Sequence, residues 1–324
     1  MIRFGLVLAL LVTSAPRATA GANGVSGSWT AVAESRDDHF EFSMRFGRHE
    51  NSGNRFKISD FSGLTAAQVH SAASSSVTFE LRREAGTVAY EGLFKGGEGA
   101  GTFTFTPAED NPAALRRLGV EPPDDDEHTL TLAIFDVSSS FIRSMQAIGY
   151  DVPLDKYVEF RIFSIDPAYV RDMASMGFDH LSADKLVETR IQGATPDYIR
   201  LMRHSGKDLS LDQYIESRIF QVTPEFAAEM GRAGYPNLDH DLLVQFRIQG
   251  VTTEFINDLK QLGYTHIPPG KLVEMRIHGV TPEYIRRLET AGYKRVPIDK
   301  MVQMRIFDIQ PEMIRALDDA KGGT

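Results

Sequence analysis

The chain has 324 residues, with 35 Lys and Arg against 44 Asp and Glu, a net charge of −9, and no cysteine. Without cysteine there are no disulfides, thiolate metal sites, cysteine nucleophile or lipoprotein acylation. The acidic balance argues against nucleic acid and anionic membrane surfaces as partners, since both are recognised through basic surface.

The first twenty residues read as a secretory signal peptide. Arg3 supplies the positive start, Phe4 to Val12 a short apolar run, and Ala18-Thr19-Ala20 the small residues before a cut. Nine apolar residues fall short of the roughly 20 that span a bilayer as a helix. No later stretch of the mature chain is long and apolar enough to be a transmembrane segment. Cleavage before Gly21 removes Arg3 and Arg17 and takes the net charge from −9 to −11. The expectation is an exported protein, periplasmic or extracellular, stabilised by its core and not by disulfides.

Residues 21–107 read as a β domain, with period two from Ser28 to about Pro107. Phe40, Phe42, Met44 and Phe46 alternate with Glu41, Ser43 and Arg45, and Val77, Phe79 and Leu81 alternate with Thr78, Glu80 and Arg82. Val88 and Tyr90, then Phe103 and Phe105, continue the pattern. Asn51-Ser52-Gly53-Asn54, Ala85-Gly86 and Gly96-Gly97-Glu98-Gly99 read as turns. Antiparallel strands with one apolar face must cover it, which predicts a small β sandwich or barrel. Two roles are open to Trp29 and the phenylalanine row: lining a pocket for a small apolar ligand, or filling the core themselves. Small barrels favour the second.

A repeat follows. Arg-Ile occurs at Arg161, Arg190, Arg218, Arg247, Arg276 and Arg305, at spacings of 29, 28, 29, 29 and 29 residues. One unit, VTPEYIRRLETAGYKRVPIDKMVQMRIFDI from Val280 to Ile309, reads as two short helices. Thr281 caps the first, Pro282 takes its first position and Gly292 ends it. Ser138, Asp166, Thr195, Thr223 and Thr252 are the matching caps, and Gly149, Gly177, Gly206, Gly234 and Gly263 the matching ends, with an aromatic usually next and Lys207 the exception. The second helix opens near Asp155, Asp184, Asp212, Asp241 or Asp299, then carries an apolar pair such as Met301-Val302, and Ile306. Hairpins this short must stack on neighbours. The fold class is therefore α+β: an antiparallel β domain, a degenerate capping repeat with an acidic linker at 108–137, and an α-solenoid of 29-residue repeats over 138–324. A lone helix, Pro311 to Leu317, closes it.

Two arginine columns stand out. Arg161, Arg190, Arg218, Arg247, Arg276 and Arg305 share the inward face of the second helix, as Arg305 shows by following Met301 by four residues and Val302 by three. A charge there needs a partner, and Asp299, roughly 120° round the helix, is out of reach. The expectation is a structural ladder, each arginine reaching a carboxylate or helix-end carbonyl of the adjacent unit. The second column, Arg143, Arg171, Arg200, Arg286 and Arg315, lies on the first helix, interrupted by Ala228 and Asn257. It is the candidate partner-binding stripe, weighed against local pairing with Asp197, Glu283 and Glu312 three residues before.

No HExxH, G-x-S-x-G, P-loop or dinucleotide glycine motif is present. His180, His240 and His266 read as loop residues, and Asp124-Asp125-Asp126-Glu127 as a solvated helix start. The expectation is a protein with no catalytic, cofactor-binding or metal residues.

The units RIHGVTPEYIRRLETAGY and RIQGVTTEFINDLKQLGY resemble repeats in the extracytoplasmic tails of membrane metallopeptidases of the BlaR/MecR type, the β-lactam-sensor relatives. The segments VTFELRREAGT and GLFKGGEGAGTFTFTP resemble the domain accompanying those repeats. The chain lacks the multi-helix membrane part and the zinc-protease motif, so the resemblance implies no peptidase activity. It implies a stand-alone relative of the sensory or scaffolding portion. Two functions follow as expectations: a scaffold binding another envelope protein, or a sensor whose β domain takes a small molecule and whose solenoid relays the state.

Overall fold

A computed structural model describes residues 24–34, 38–47, 49–204, 208–310 and 312–313, with the backbone alone at 49–53. The expected signal peptide, Gly206, Lys207, Arg315 and all but two residues of the expected closing helix lie outside the described residues. The chain divides into two compact units, one ending at Arg161 and the other beginning at Ile162, so the division falls inside the repeats.

The first unit is built on one six-stranded antiparallel sheet. Its strands are β1 (Ser26–Ala33), β2 (His39–Phe46), β3 (His49–Lys57), β4 (Ser75–Arg83), β5 (Gly86–Lys95) and β6 (Glu98–Pro107), in the order β3-β2-β1-β6-β5-β4. Two three-stranded meanders are thus joined through β1 and β6. The Asn51–Asn54 turn signal is overturned: those residues lie within β3, where the pairing with β2 shifts register between Phe42 and Met44. A bulge accommodates turn-forming residues in a strand.

The sheet curls strongly. On a flat sheet β2 and β5 stand about 14 Å apart, three strand spacings, yet the rings of Phe42 and Tyr90 are 5.2 Å apart. Trp29 stacks on Phe42 at 5.4 Å and meets Phe79 edge-on at 5.4 Å. Its indole N–H lies 3.2 Å from the Glu91 carbonyl and 3.1 Å from that of Thr102. The seat for this ring is glycine: a Cβ at Gly92 or Gly101 would stand 2.7 Å from the indole. Phe61, on the segment joining β3 to β4, packs against Phe79 at 5.3 Å. Trp29, Phe40, Phe42, Phe79, Tyr90 and Phe94 are all buried, so the sheet's concave face is occupied by its own rings.

Five helices complete this unit: α1 (Ala66–Val69), α2 (Asn111–Arg117), α3 (Asp126–Ile134), α4 (Ser139–Gln146) and α5 (Leu154–Ile162). The acidic run is a cap, since Asp125 accepts the His128 N–H and Asp126 and Glu127 occupy the first turn of α3. That helix buries Leu130, Leu132, Ala133 and Ile134 and packs against β5 and β6. Glu84, in the β4–β5 turn, accepts the Ser139 N–H at 2.8 Å at the start of α4.

The second unit is a run of helical hairpins. First helices are α6 (Pro167–Ser175), α8 (Pro196–His204), α10 (Pro224–Arg232), α12 (Thr253–Gln261) and α14 (Pro282–Thr290). Second helices are α7 (Ala183–Gln192), α9 (Leu211–Ile219), α11 (His240–Gln249), α13 (Pro269–Ile277) and α15 (Ile298–Ile306). Asp166, Thr195, Thr223, Thr252 and Thr281 each accept the N–H three residues on. The second helices form one layer, α7 beside α9 beside α11 beside α13 beside α15. Leu186-Val187, Tyr214-Ile215, Leu243-Val244, Leu272-Val273 and Met301-Val302 are the buried pairs of that layer. Among the described residues no helix is long and apolar enough to cross a membrane.

Candidate functional site

The recurring arginines of the second unit leave the last turn of a second helix and lie over a ring on the first helix of the same hairpin. Their guanidinium carbons stand 3.8 Å from Tyr169 for Arg190, 4.9 Å from Tyr198 for Arg218 and 3.7 Å from Phe226 for Arg247. Arg276 and Arg305 lie 5.1 and 5.2 Å from Phe255 and Tyr284. Three of them also donate backwards, to carbonyls at or just beyond the end of the preceding second helix: Arg190 to Ser164 at 2.6 Å, Arg276 to Gln249 at 2.9 Å and Arg305 to His278 at 3.2 Å. A helix C-terminus is the negative end of its dipole, which suits a cation. Gly250 shows how closely the charge approaches: at φ +66, a Cβ there would stand 2.9 Å from Arg276 Nη2. In the first unit Arg161 repeats the arrangement, over Phe141 at 5.1 Å and donating to the Phe135 carbonyl at 2.7 Å and to Asp136 at 3.2 Å. The rings were not read as arginine partners in the sequence. Their signal is an aromatic three residues after every cap.

Placing the arginine over the ring turns its neighbour outward. Ile306 follows the apolar pair of its helix in sequence, and Ile191, Ile219, Ile248, Ile277 and Ile306 are between 48% and 56% exposed. On the helical wheel Ile277 stands about 140° from Leu272 and about 160° from Met275 but about 40° from Val273, the three buried residues of α13, so it sits at the edge of the buried face with part of its side chain in solvent. Adjoining second helices therefore carry a column of half-exposed aliphatic side chains.

Ion pairs also link adjacent second helices. Lys185 bonds Asp212 in the next repeat at 2.9 Å and Lys271 bonds Asp299 at 2.6 Å. Donating to the Glu188 and Asp212 carboxylates holds the Lys185 ammonium above its ordinary pKa, and donating to Asp299 and Glu274 does the same for Lys271. These pairs tie the first turns of adjacent second helices, whereas the isoleucines stand in the last turns.

The first-helix arginines Arg143, Arg171, Arg200 and Arg286 are exposed. Arg143 donates to the Ser139 carbonyl of its own helix at 3.2 Å. Arg200 pairs with Asp197, and Arg286 pairs with Glu283 at 3.3 Å and Asp258 at 3.9 Å. Carboxylates are thus interleaved with the stripe. One histidine was misplaced in the sequence reading: His180 and His266 lie in loops, whereas His240 opens α11 and is buried.

No protein-family model, curated protein or solved structure matches the chain.

Proposed function

We propose that this is a non-enzymatic scaffold of the bacterial cell envelope, exported through its N-terminal segment, that holds an extended segment of another envelope protein along its isoleucine column. The observation that carries the proposal is the column itself. A half-exposed isoleucine gains from the part it buries but leaves the rest in water, and all five second helices of the unit present one. Exposed aliphatic side chains recurring on adjoining helices are a mark of an interaction surface. Packed helices lie roughly 8–10 Å apart, close to the ~9 Å turn of a polyproline II strand with three residues per turn. The fitting occupant is an extended segment with an aliphatic side chain at every third position. A chain of net charge −9 favours basic residues between them. On this reading the protein is a free-standing counterpart of the extracytoplasmic tails of BlaR/MecR-type sensors. The sensor alternative is weakened in the β domain, where packed rings occupy the volume a ligand would need.

Cross-linking of the full mature chain in envelope extract tests the proposal through lysines already present. Cross-links to a single partner at Lys185, Lys271 or Lys300, lost when Ile219, Ile248 and Ile277 are together changed to serine in a variant that still melts cooperatively, would support it. Cross-links centred on Lys260 of the first-helix layer, surviving the triple change, would overturn it.

A further inference from the structure

Because the repeats superimpose in sequence, each position can be judged against its own equivalents. The residue before the recurring arginine is Thr189, Ser217, Phe246, Met275 and Met304 through the second unit. Four residues after the first-helix cap stand Val170, Ile199, Ala227, Ile256 and Ile285, and the first position of the second helix holds Ala183, Leu211, His240, Pro269 and Ile298. Ser217, whose small hydroxyl type is shared with Thr189 alone, Ala227 and His240 are the departures. A fourth is Gly231, which stands where Arg203 and Lys260 reach back to the carbonyls of Met176 and Ala233 at 2.8 Å.

All four departures line one pocket of about 300 Å³, between α8, α9, α10 and α11. Losing a Phe- or Met-sized group at one wall and an Ile-sized group at the other accounts for the space. Small residues also stand in these columns at Ala174, Ala183 and Thr189; there Thr189 is bonded to the Tyr169 hydroxyl at 2.8 Å, whereas here the columns meet in the pocket beside a buried histidine. The polar groups in the pocket are also organised. The Ser217 hydroxyl donates to the Gln213 carbonyl at 2.8 Å, so His240 Nε2–H is the donor in the 3.0 Å contact between His240 and Ser217. His240 is buried, and its Nδ1 has no hydrogen-bond partner, with Glu216 and Asp241 carboxylates each at 3.6 Å. Serine, histidine and carboxylate in this order resemble a hydrolytic triad, but the serine proton is committed to its own helix and the hydroxyl lies inside α9. The acceptor this leaves on the pocket wall is the Ser217 hydroxyl oxygen, since His240 Nδ1 is enclosed and Glu216 and Asp241 do not line the pocket.

We infer that this pocket is a binding site for a small, mostly apolar molecule carrying one hydrogen-bond donor, of the phenol or indole class. Its body takes the volume that Phe246 and Ile256 fill in the following repeat, and its donor meets the His240 cluster. The inference is independent of the isoleucine column, which lies on the outer face.

The test uses the full mature chain, titrated with p-cresol, indole and toluene while the methyl NMR signals of Met202 and Leu243 are followed. Saturable shifts of both signals with p-cresol or indole are expected. Ala227→Ile, which restores the usual residue, should abolish them while raising the melting temperature, and Ala227→Val should give a partial effect. His240→Leu should weaken p-cresol by roughly tenfold, the scale of a lost buried polar contact, and leave toluene unchanged. The inference is overturned if no probe gives saturable shifts at millimolar concentration while Ala227→Ile still raises the melting temperature, for then the space is a packing defect. It is equally overturned if Ala227→Ile folds and binds p-cresol as the parent does.

Discussion

Replacing Arg276 with methionine keeps the apolar stem of the side chain and removes its guanidinium. Two contacts go: the Nε–H bond to the Gln249 carbonyl at 2.9 Å and the stacking over Phe255 at 5.1 Å. A hydrogen bond to a charged group contributes about 1.5–3 kcal/mol, and the part-exposed setting puts this one at the lower end. Stacking at an exposed site adds about 0.5–1 kcal/mol. The freed carbonyl can be hydrated, so no further penalty applies, and the expected loss is about 2 kcal/mol. Because the contact bridges α11 to α13, the loss falls on an inter-repeat interface and should also lower cooperativity. Urea unfolding of the full chain followed by circular dichroism reads both the midpoint and the slope. Arg276→Lys should recover less than half, since an ammonium lacks the planar fork that meets carbonyl and ring together. A loss below about 0.5 kcal/mol would place Arg276 among ordinary solvated surface charges and refute the ladder as a source of stability.

Three further outcomes are expected. Tyr90→Phe should leave stability unchanged or raise it by up to about 1 kcal/mol, since its buried hydroxyl finds only the Met44 sulfur at 3.5 Å, a weak acceptor. Burial raises the pKa of Tyr90 far above the ordinary 10.0, so its share of stability is present below that value and is lost as pH rises beyond it. Tyr90→Phe should flatten that alkaline decline in a melting series, and an unaltered decline would count against the assignment. Asp125→Ala should cost about 1 kcal/mol as a lost cap, and Asp125→Asn much less. Hydrogen bonds from His128 hold the Asp125 carboxyl below its ordinary 3.8, so this contribution is present at neutral pH and lost as pH falls through the lowered value. The gap between parent and Asp125→Asn should therefore close or reverse in acid, which urea midpoints would show. Finally, N-terminal sequencing of protein recovered from a bacterial periplasm should begin at Gly21; a start at Met1 would remove the export reading.

The β strands were legible because period two survives wherever one face is buried. Phe40, Phe42, Met44 and Phe46 all point inward, and Phe103 and Phe105 do the same on β6. What sequence could not supply was the extent of closure. Curl depends on which strands become neighbours, and the β1–β6 pairing joins residues about 75 apart, such as Ser26 with Thr104. The misread turn at Asn51–Asn54 has a similar cause. Asparagine and glycine tolerate a bulge as readily as a turn, and only the register against β2 separates the two.

The repeats allow a finer division, because each column is read several times under the same packing constraints. Columns the stacking requires are filled consistently: the capping oxygen, the ring beneath the arginine and the buried pair of the second helix. A column filled consistently without being required calls for a different cause, and Ile191, Ile219, Ile248, Ile277 and Ile306 form one, half exposed on the outer layer. The reverse also carries information. Where small residues of several columns meet, at Ser217, Ala227 and Gly231, with histidine at 240, a pocket opens at that interface. A pocket opened around a buried imidazole is what points to a site. The sequence contained every residue of that argument; what it lacked was the adjacency of α9, α10 and α11 that brings four separate departures to one wall.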